Sequence, residues 1–210
     1  MLTLYFAPNT CALASHLALE YAGAHYELAR IDFGKQEQRS QAYLRLNPKA
    51  RVPALATEHG VLTETPALLQ YIGQRFPDSR LVPSDDPFML GRMNEFNAYL
   101  CATVHVAHAH RMRGYRWVDE SDMQALEAMK RKVPQTVSEC FALIESDMLA
   151  SPWVLGERFS VCDLYLFTLA QWMEGDGVDP ARFPKVVEHR SRMAADPVVQ
   201  KVLAAQRALS

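Results

Sequence analysis

The chain has 210 residues, 49% hydrophobic and 22% charged, with a net charge of −2. That balance describes an ordinary globular chain with material for a sizeable core. With no Lys/Arg block it lacks the electrostatic footprint for nucleic acid or an anionic membrane surface, so the expected partners are small molecules and protein.

The first element, "LTLYF", is a short apolar run that reads as a strand. No basic segment or cleavage-like site precedes it and no apolar stretch reaches 18 residues, so a cytoplasmic protein is expected. Residues 10–22 repeat Leu13, Leu17 and Tyr21 beside Ala14 and Ala18 at helical spacing. "HYELARID" alternates as a strand does, and residues 36–45 read as a helix. "VPALAT" and "VLT" read as two strands around a tight turn at Gly60, and residues 65–75 as a helix stopped by Phe76-Pro77. The order is βαβ-α-ββα, which defines an α/β domain over residues 1–77.

Residues 78–86 fall in "FPDSRLVPSDDP", rich in proline and aspartate, and are expected to be a linker. From residue 87 to 210 the pattern is all-α, with helices expected at 87–112, 119–149, 161–174, 184–194 and 197–207. In "GERFSVCDLYLF", Ser160 is placed to cap a helix, Asp163 to reach back to the cap, and Phe159 to staple onto Leu164.

Four stretches could carry chemistry. In "TETPALLQYI", Thr65 reads as an N-cap with Pro66 at the first helical position, leaving a positive helix end that suits a carboxylate. Glu64 beside it could accept from an ammonium group, so the pair is either a plain capped surface helix or a holder for an α-amino-acid end. In "YFAPNTC", Tyr5 ends the first strand and Asn9, Thr10 and Cys11 open the first helix, where the dipole should lower a thiol pKa from about 8.5. The same donors could serve a ligand's thiolate, and a lone cysteine is also simply a small buried residue.

In "CATVHVAHAHRMRGYRW", Cys101, His105 and His108 fall at i, i+4 and i+7. They form either a metal-ligand face or the polar wall of an inter-domain cleft, with Arg111, Arg113, Tyr115 and Trp117 on its rim. In "NPKARVPAL", Pro53 interrupts an apolar run, as a stiff turn or as a device that holds out a backbone group. Cys140 and Cys162 have apolar neighbours and read as core, whereas His16, His25, His59 and His189 show no partner arrangement. GxSxG, HExxH, Gly-rich phosphate loops and paired carboxylates are all missing, which removes the common hydrolase, metalloprotease and nucleotide-binding readings.

"NPKARVPAL", "TETPALLQYI" and "GERFSVCDLYLFTL", in this order and spacing, resemble the cytosolic glutathione transferases, and "LYFAPNTCALASHLAL" is most similar to their bacterial β class. The resemblance implies a thioredoxin-like N-terminal domain, an all-helical C-terminal domain, a homodimer, and glutathione bound between the domains. It implies a cis Pro53, with Val52 offering its backbone to the cysteinyl part of glutathione. Glu64 and Thr65 would hold the γ-glutamyl end and Lys35 the glycyl carboxylate, with Arg51 also on the glutathione side. Cys11 and His105 would face the sulfur.

The sequence departs from the β class at Phe6, usually tyrosine, Ala12, usually serine, and Val106, usually lysine. Thr10 and Asn9 therefore join Cys11 as candidates to stabilise the thiolate. Phe6, His108, Met112 and Trp117 would line the electrophile pocket. The implied activity, with no metal, is conjugation of glutathione to small hydrophobic electrophiles in detoxification. Alternatives are a thiol-disulfide reductase or peroxidase using Cys11, and a non-catalytic ligand-binding member of the fold.

Overall fold

A computed structural model describes residues 1–209. Strands β1 (Leu2–Phe6), β2 (Tyr26–Arg30), β3 (Ala54–Thr57) and β4 (Gly60–Thr63) form one sheet in the order β2-β1-β3-β4. β1 runs parallel to β2 and antiparallel to β3, which turns back onto β4. A parallel pair needs a long crossover, and helix α1 (Ala12–Tyr21) supplies it. The β3–β4 pair needs only Glu58 and His59, since Thr57 is already opposite Gly60, where φ is +131°.

Helix α3 (Thr65–Arg75) has the expected bounds, but its cap is Glu64, not Thr65. Glu64 takes the left-handed φ of +76° that turns the chain from β4 into the helix. The expected helix at 36–45 divides into a 3₁₀ turn at Glu37–Arg39 and α2 (Gln41–Leu46). Ser40 is extended between them, and its hydroxyl accepts from the Tyr43 N–H, which ends one turn and starts the next.

Residues 78–86 connect the two units as a packed strap. Leu81, Val82 and Pro83 are buried, the Val161 N–H donates to the Leu81 carbonyl at 3.0 Å, and the Arg158 guanidinium reaches the Val82 carbonyl. Gly73 of α3 makes room for this strap, because a Cβ there would lie 2.3 Å from Val82 Cγ2.

The expected helix at 87–112 is α4 (Pro87–Tyr99) and α5 (His105–Arg113), joined through a π-wound turn at Leu100–Val104. Helix α6 (Met123–Leu143) starts four residues later than its period implied, because the Asp122 carboxylate accepts from the Ala125 N–H and fixes the first turn. Helix α7 (Val161–Ala170) is buried along its whole length, and α8 (Pro184–Ala195) and α9 (Pro197–Ala208) complete the bundle. Helix α1 packs on α3, α7 and α9, so the first crossover of the sheet is also the joint between the two units.

The cap on α7 does more than end a helix. Asp163 is fully buried and accepts from the Ser160 N–H at 2.8 Å, closing the expected capping box, and from the Val154 N–H at 2.9 Å. His189 Nε2 lies 3.1 Å from the same carboxylate, so its lack of a visible partner in the sequence is corrected. His16 is corrected likewise. Its Nε2 meets the Tyr26 hydroxyl at 3.0 Å and its Nδ1 the Gln206 amide at 3.2 Å. Phe159 packs its ring on Tyr21 and Trp153. All four cysteines are free, with Cys140 and Cys162 buried. Among the described residues no helix is long and apolar enough to cross a membrane.

Candidate functional site

The loop from β1 to α1 brings Cys11 to the foot of the segment before β3. Its thiol is buried and donates toward the Val52 carbonyl at 3.6 Å, with the Thr65 hydroxyl beside it. Burial pushes this thiol up to about 11, outweighing the Thr65 hydrogen bond, and Cys101 and Glu64 push the same way. The expectation of a thiol activated by its helix end is thereby corrected. The helix covers the sulfur as well as pointing at it, and desolvation wins. The Thr10 hydroxyl is spent on its own turn, donating to the Ala7 carbonyl at 2.7 Å and accepting from the Ala12 N–H, while Asn9 is exposed in a left-handed conformation.

The Val52-Pro53 peptide is cis. Tyr43 and Asn47 each donate to the preceding Arg51 carbonyl at 2.7 Å, fixing the turn from behind. No hydrogen bond among the described residues uses the Val52 N–H. Twelve positions after Pro53, Thr65 is buried at the first turn of α3, and Glu64 holds Lys49 Nζ at 2.6 Å. Lys49 also donates to the Thr63 hydroxyl, so one cation pins the strained corner where β4 becomes α3. The Lys35 side chain is 77% exposed, with Nζ 3.8 Å from Asp32.

Across the cleft, the π-wound turn and α5 present Cys101, His105 and His108. Tyr165 of α7, fully buried, lies beside Cys101 and 3.4 Å from His105 Nδ1. His105 is pushed down to about 4, first by burial, then by His108, Arg116 and Arg51, against the opposing pull of Glu64. Its imidazole is therefore neutral at neutral pH. His108 is held by Asp176, whose oxygens lie 2.7 and 2.9 Å from Nδ1, and stacks on Trp172 at 4.2 Å. Arg111 Nε lies 3.2 Å from the same buried Asp176.

Among the described residues no group of three or more His, Cys, Asp or Glu is placed to hold a metal, because His105 and His108 are directed to different partners. Met112 and Trp117 are exposed beyond this wall, with Trp117 edge-on to His110, and Tyr115 is exposed beside them. Phe6 requires a correction. It belongs to the buried face of β1 with Leu2 and Leu4, its ring lies near His16, and it offers no surface to a ligand. Tyr5, on the opposite face of the strand, packs edge-on to Tyr43.

The N-terminal domain family of glutathione S-transferases matches residues 1–74, and the C-terminal domain family matches residues 98–197. A crystal structure of a glutathione transferase homologue from Sulfitobacter, with bound glutathione, superposes with a TM-score of 0.94 at 45% identity, covering 98% of each chain. The chain belongs to the glutathione S-transferase family. It is β-like within it. The bacterial β-class glutathione S-transferase of Sphingomonas chungbukensis has a TM-score of 0.84 at 29% identity, over 97% of this chain and 98% of its own. Glutathione S-transferase GstA of Escherichia coli O157:H7 is 27% identical over 205 residues, 97% of this chain and 98% of the relative.

Several residues that touch the candidate site of this transferase escape the sequence. Lys49 sits inside the quoted "NPKARVPAL" and is a cation three residues before the Val52-Pro53 turn, which was a usable signal. Tyr165, Trp172 and Asp176 carry none, since each meets α5 across some 60 residues of chain or more.

Proposed function

We propose that glutathione lies along the Val52-Pro53 turn between the two units and that this chain transfers its thiolate to a small electrophile held against α5. The Val52 N–H without a partner, beside the buried start of α3, is the observation that carries the reading. A peptide ligand's cysteinyl carbonyl fits that N–H, while the Val52 carbonyl keeps a second lone pair beside the one facing Cys11. Thr65 and the N–H groups at the start of α3 suit the γ-glutamyl carboxylate. Glu64 suits the ammonium, sharing or exchanging Lys49. Arg51 and Lys35 are the cations for the glycyl carboxylate.

The high pKa of Cys11 gives it a definite role. A neutral thiol is a hydrogen-bond donor, so Cys11, by turning its one S–H from the Val52 carbonyl, can support a ligand thiolate, whereas an ionised Cys11 would repel it. His105 is equally neutral, and the cations Arg51 and Arg116 around it make the cleft electropositive. Stabilising the sulfur by one pKa unit is worth about 1.4 kcal/mol. Catalysis is then mainly positioning and electrostatic stabilisation of sulfur. The same burial weighs against a reductase or peroxidase that uses Cys11 as nucleophile, because thiol exchange requires the thiolate. The protein is read as a cytoplasmic homodimer acting in detoxification, with hydrophobic electrophiles reaching the Met112 and Trp117 side.

The test is conjugation of glutathione to 1-chloro-2,4-dinitrobenzene, followed by thioether absorbance with purified folded protein. Saturable, glutathione-dependent turnover is expected. Glutathione binding by calorimetry without conjugation of any electrophile would leave a ligand carrier, and absence of binding would defeat the reading.

A further inference from the structure

On the electrophile side lies a linkage that the glutathione site does not use. Asp176, in the loop after α7, is a nearly buried carboxylate with 2% of its side chain exposed, and it faces two groups of α5. His108 Nδ1 lies 2.7 Å from one of its oxygens and Arg111 Nε 3.2 Å from the other. Gly175 just before it has no Cβ because one would come within 2.5 Å of the Arg111 guanidinium. The ring of His108 is fixed a second time by Trp172, stacked at 4.2 Å and 24°. Trp172 also lies 5.3 Å from the His105 ring, so contacts run continuously from Cys101 and Tyr165 through His105 to His108.

A carboxylate can only accept, so Nδ1 carries the hydrogen directed at Asp176 and Nε2 is left as the nitrogen that exchanges a proton. His108 keeps 18% of its side chain exposed, enough to meet a small molecule. The triad logic of a histidine oriented by a buried carboxylate is thus present on the electrophile wall, with Asp176 as orienter.

We propose that, when the electrophile is an α,β-unsaturated carbonyl compound, His108 is the proton-transferring residue and Asp176 its positioning residue. This rests on the glutathione transferase reading above. Glutathione binds as thiolate, its proton going to solvent. The sulfur forms a bond to the β-carbon, the C=C π pair shifts to join the α-carbon to the carbonyl carbon, and the C=O π pair moves onto oxygen; His108 enters as the imidazolium, with Nδ1–H on Asp176, gives its Nε2 proton to the enolate oxygen and is left neutral. The enol becomes the saturated ketone or aldehyde, and His108 recovers a proton from solvent. Thiol hydrogen and sulfur have added across one double bond, and no oxidant or reductant takes part. Neighbouring His105 is a poor candidate for this step because burial resists the second ring proton that a donor imidazolium needs. Aromatic substitution differs in kind, since chloride leaves and no carbonyl oxygen needs a proton.

The experiment compares kcat/KM for addition of glutathione to an aryl vinyl ketone with kcat/KM for substitution on 1-chloro-2,4-dinitrobenzene, in wild type, His108→Gln and Asp176→Asn. General acid–base groups typically contribute about 10²–10⁴-fold. The ratio of enone to aromatic kcat/KM is expected to fall more than about tenfold in His108→Gln. In Asp176→Asn, kcat for the enone is expected to fall more than KM rises. The pH profile of enone addition should also change in Asp176→Asn, where His108 is left facing Arg111, His105, Trp172 and an amide. A smaller fall in the ratio overturns the proposal, as does a wild type that substitutes the aromatic but adds to no enone. Loss of glutathione binding in wild type would strike the underlying reading instead. Should Asp176→Asn fail to fold, His108→Gln decides alone, its folding checked by circular dichroism and thermal midpoint.

Discussion

Alkylation of Cys11 by iodoacetamide probes the sulfur corner most closely. Its thiol is pushed up to about 11 by burial, against an ordinary value of 9.0. At pH 7 the thiolate fraction is then on the order of 10⁻⁴, against about 3% for an exposed thiol at pKa 8.5. Cys11 should therefore alkylate at least ~100-fold more slowly than a model peptide thiol, and its rate should keep rising beyond pH 9. Peptide mapping by mass spectrometry separates it from Cys101, Cys140 and Cys162. The folded value lies above the unfolded one, so the contribution to stability is complete below about pH 9 and is lost as pH rises through about 11; two units correspond to about 3 kcal/mol. Cys11→Ala removes one neutral donor from the thiolate site, a loss of about 1 kcal/mol and up to about tenfold in conjugation. An alkylation rate that levels off below pH 8, or conjugation lost more than 100-fold in Cys11→Ala, would refute the view of Cys11 as a buried donor.

Three further outcomes follow from the geometry. Thr65→Val deletes the hydroxyl at the buried start of α3 and should weaken glutathione binding about tenfold by calorimetry, since a hydrogen bond to a charged group is worth about 1.5–3 kcal/mol; unchanged affinity would remove Thr65 from the site. Asp163→Ala strands the Ser160 and Val154 N–H groups and His189 in the core, and urea unfolding should show a loss of about 3 kcal/mol or more. A loss under about 1 kcal/mol would mean that the cap is a minor contributor. Gly73→Ala gains helix propensity of about 1 kcal/mol but drives a methyl into Val82 at 2.3 Å, and a net loss of about 1–2 kcal/mol in the same assay is expected. A net gain would show that the strap from Leu81 to Pro83 yields easily.

Much of the fold can be read from local patterning because its causes are local. The Leu13, Leu17 and Tyr21 repeat, the turn at Gly60 and the Ser160–Asp163 cap each act within a few residues. Two of the boundaries that shifted did so at capping side chains, Ser40 and Asp122, whose hydrogen bonds override hydrophobic period. The candidate site's backbone was legible where residue type restricts it, as at Pro53 and at the Pro66 start of α3. It was opaque where function depends on burial or distant contact. Helical position alone favours an acidic Cys11, yet the packing that buries its sulfur decides the sign. His189 finds Asp163 across 26 residues and His108 finds Asp176 across 68, distances over which no period carries information.

The most direct measurement is a crystal structure of this chain with glutathione. The account predicts the cysteinyl backbone paired antiparallel with Val52, the γ-glutamyl carboxylate at the start of α3 by Thr65, and the sulfur within hydrogen-bond reach of Cys11. Glutathione found elsewhere, or a sulfur in contact with neither Cys11 nor the His105 side of the cleft, would contradict it.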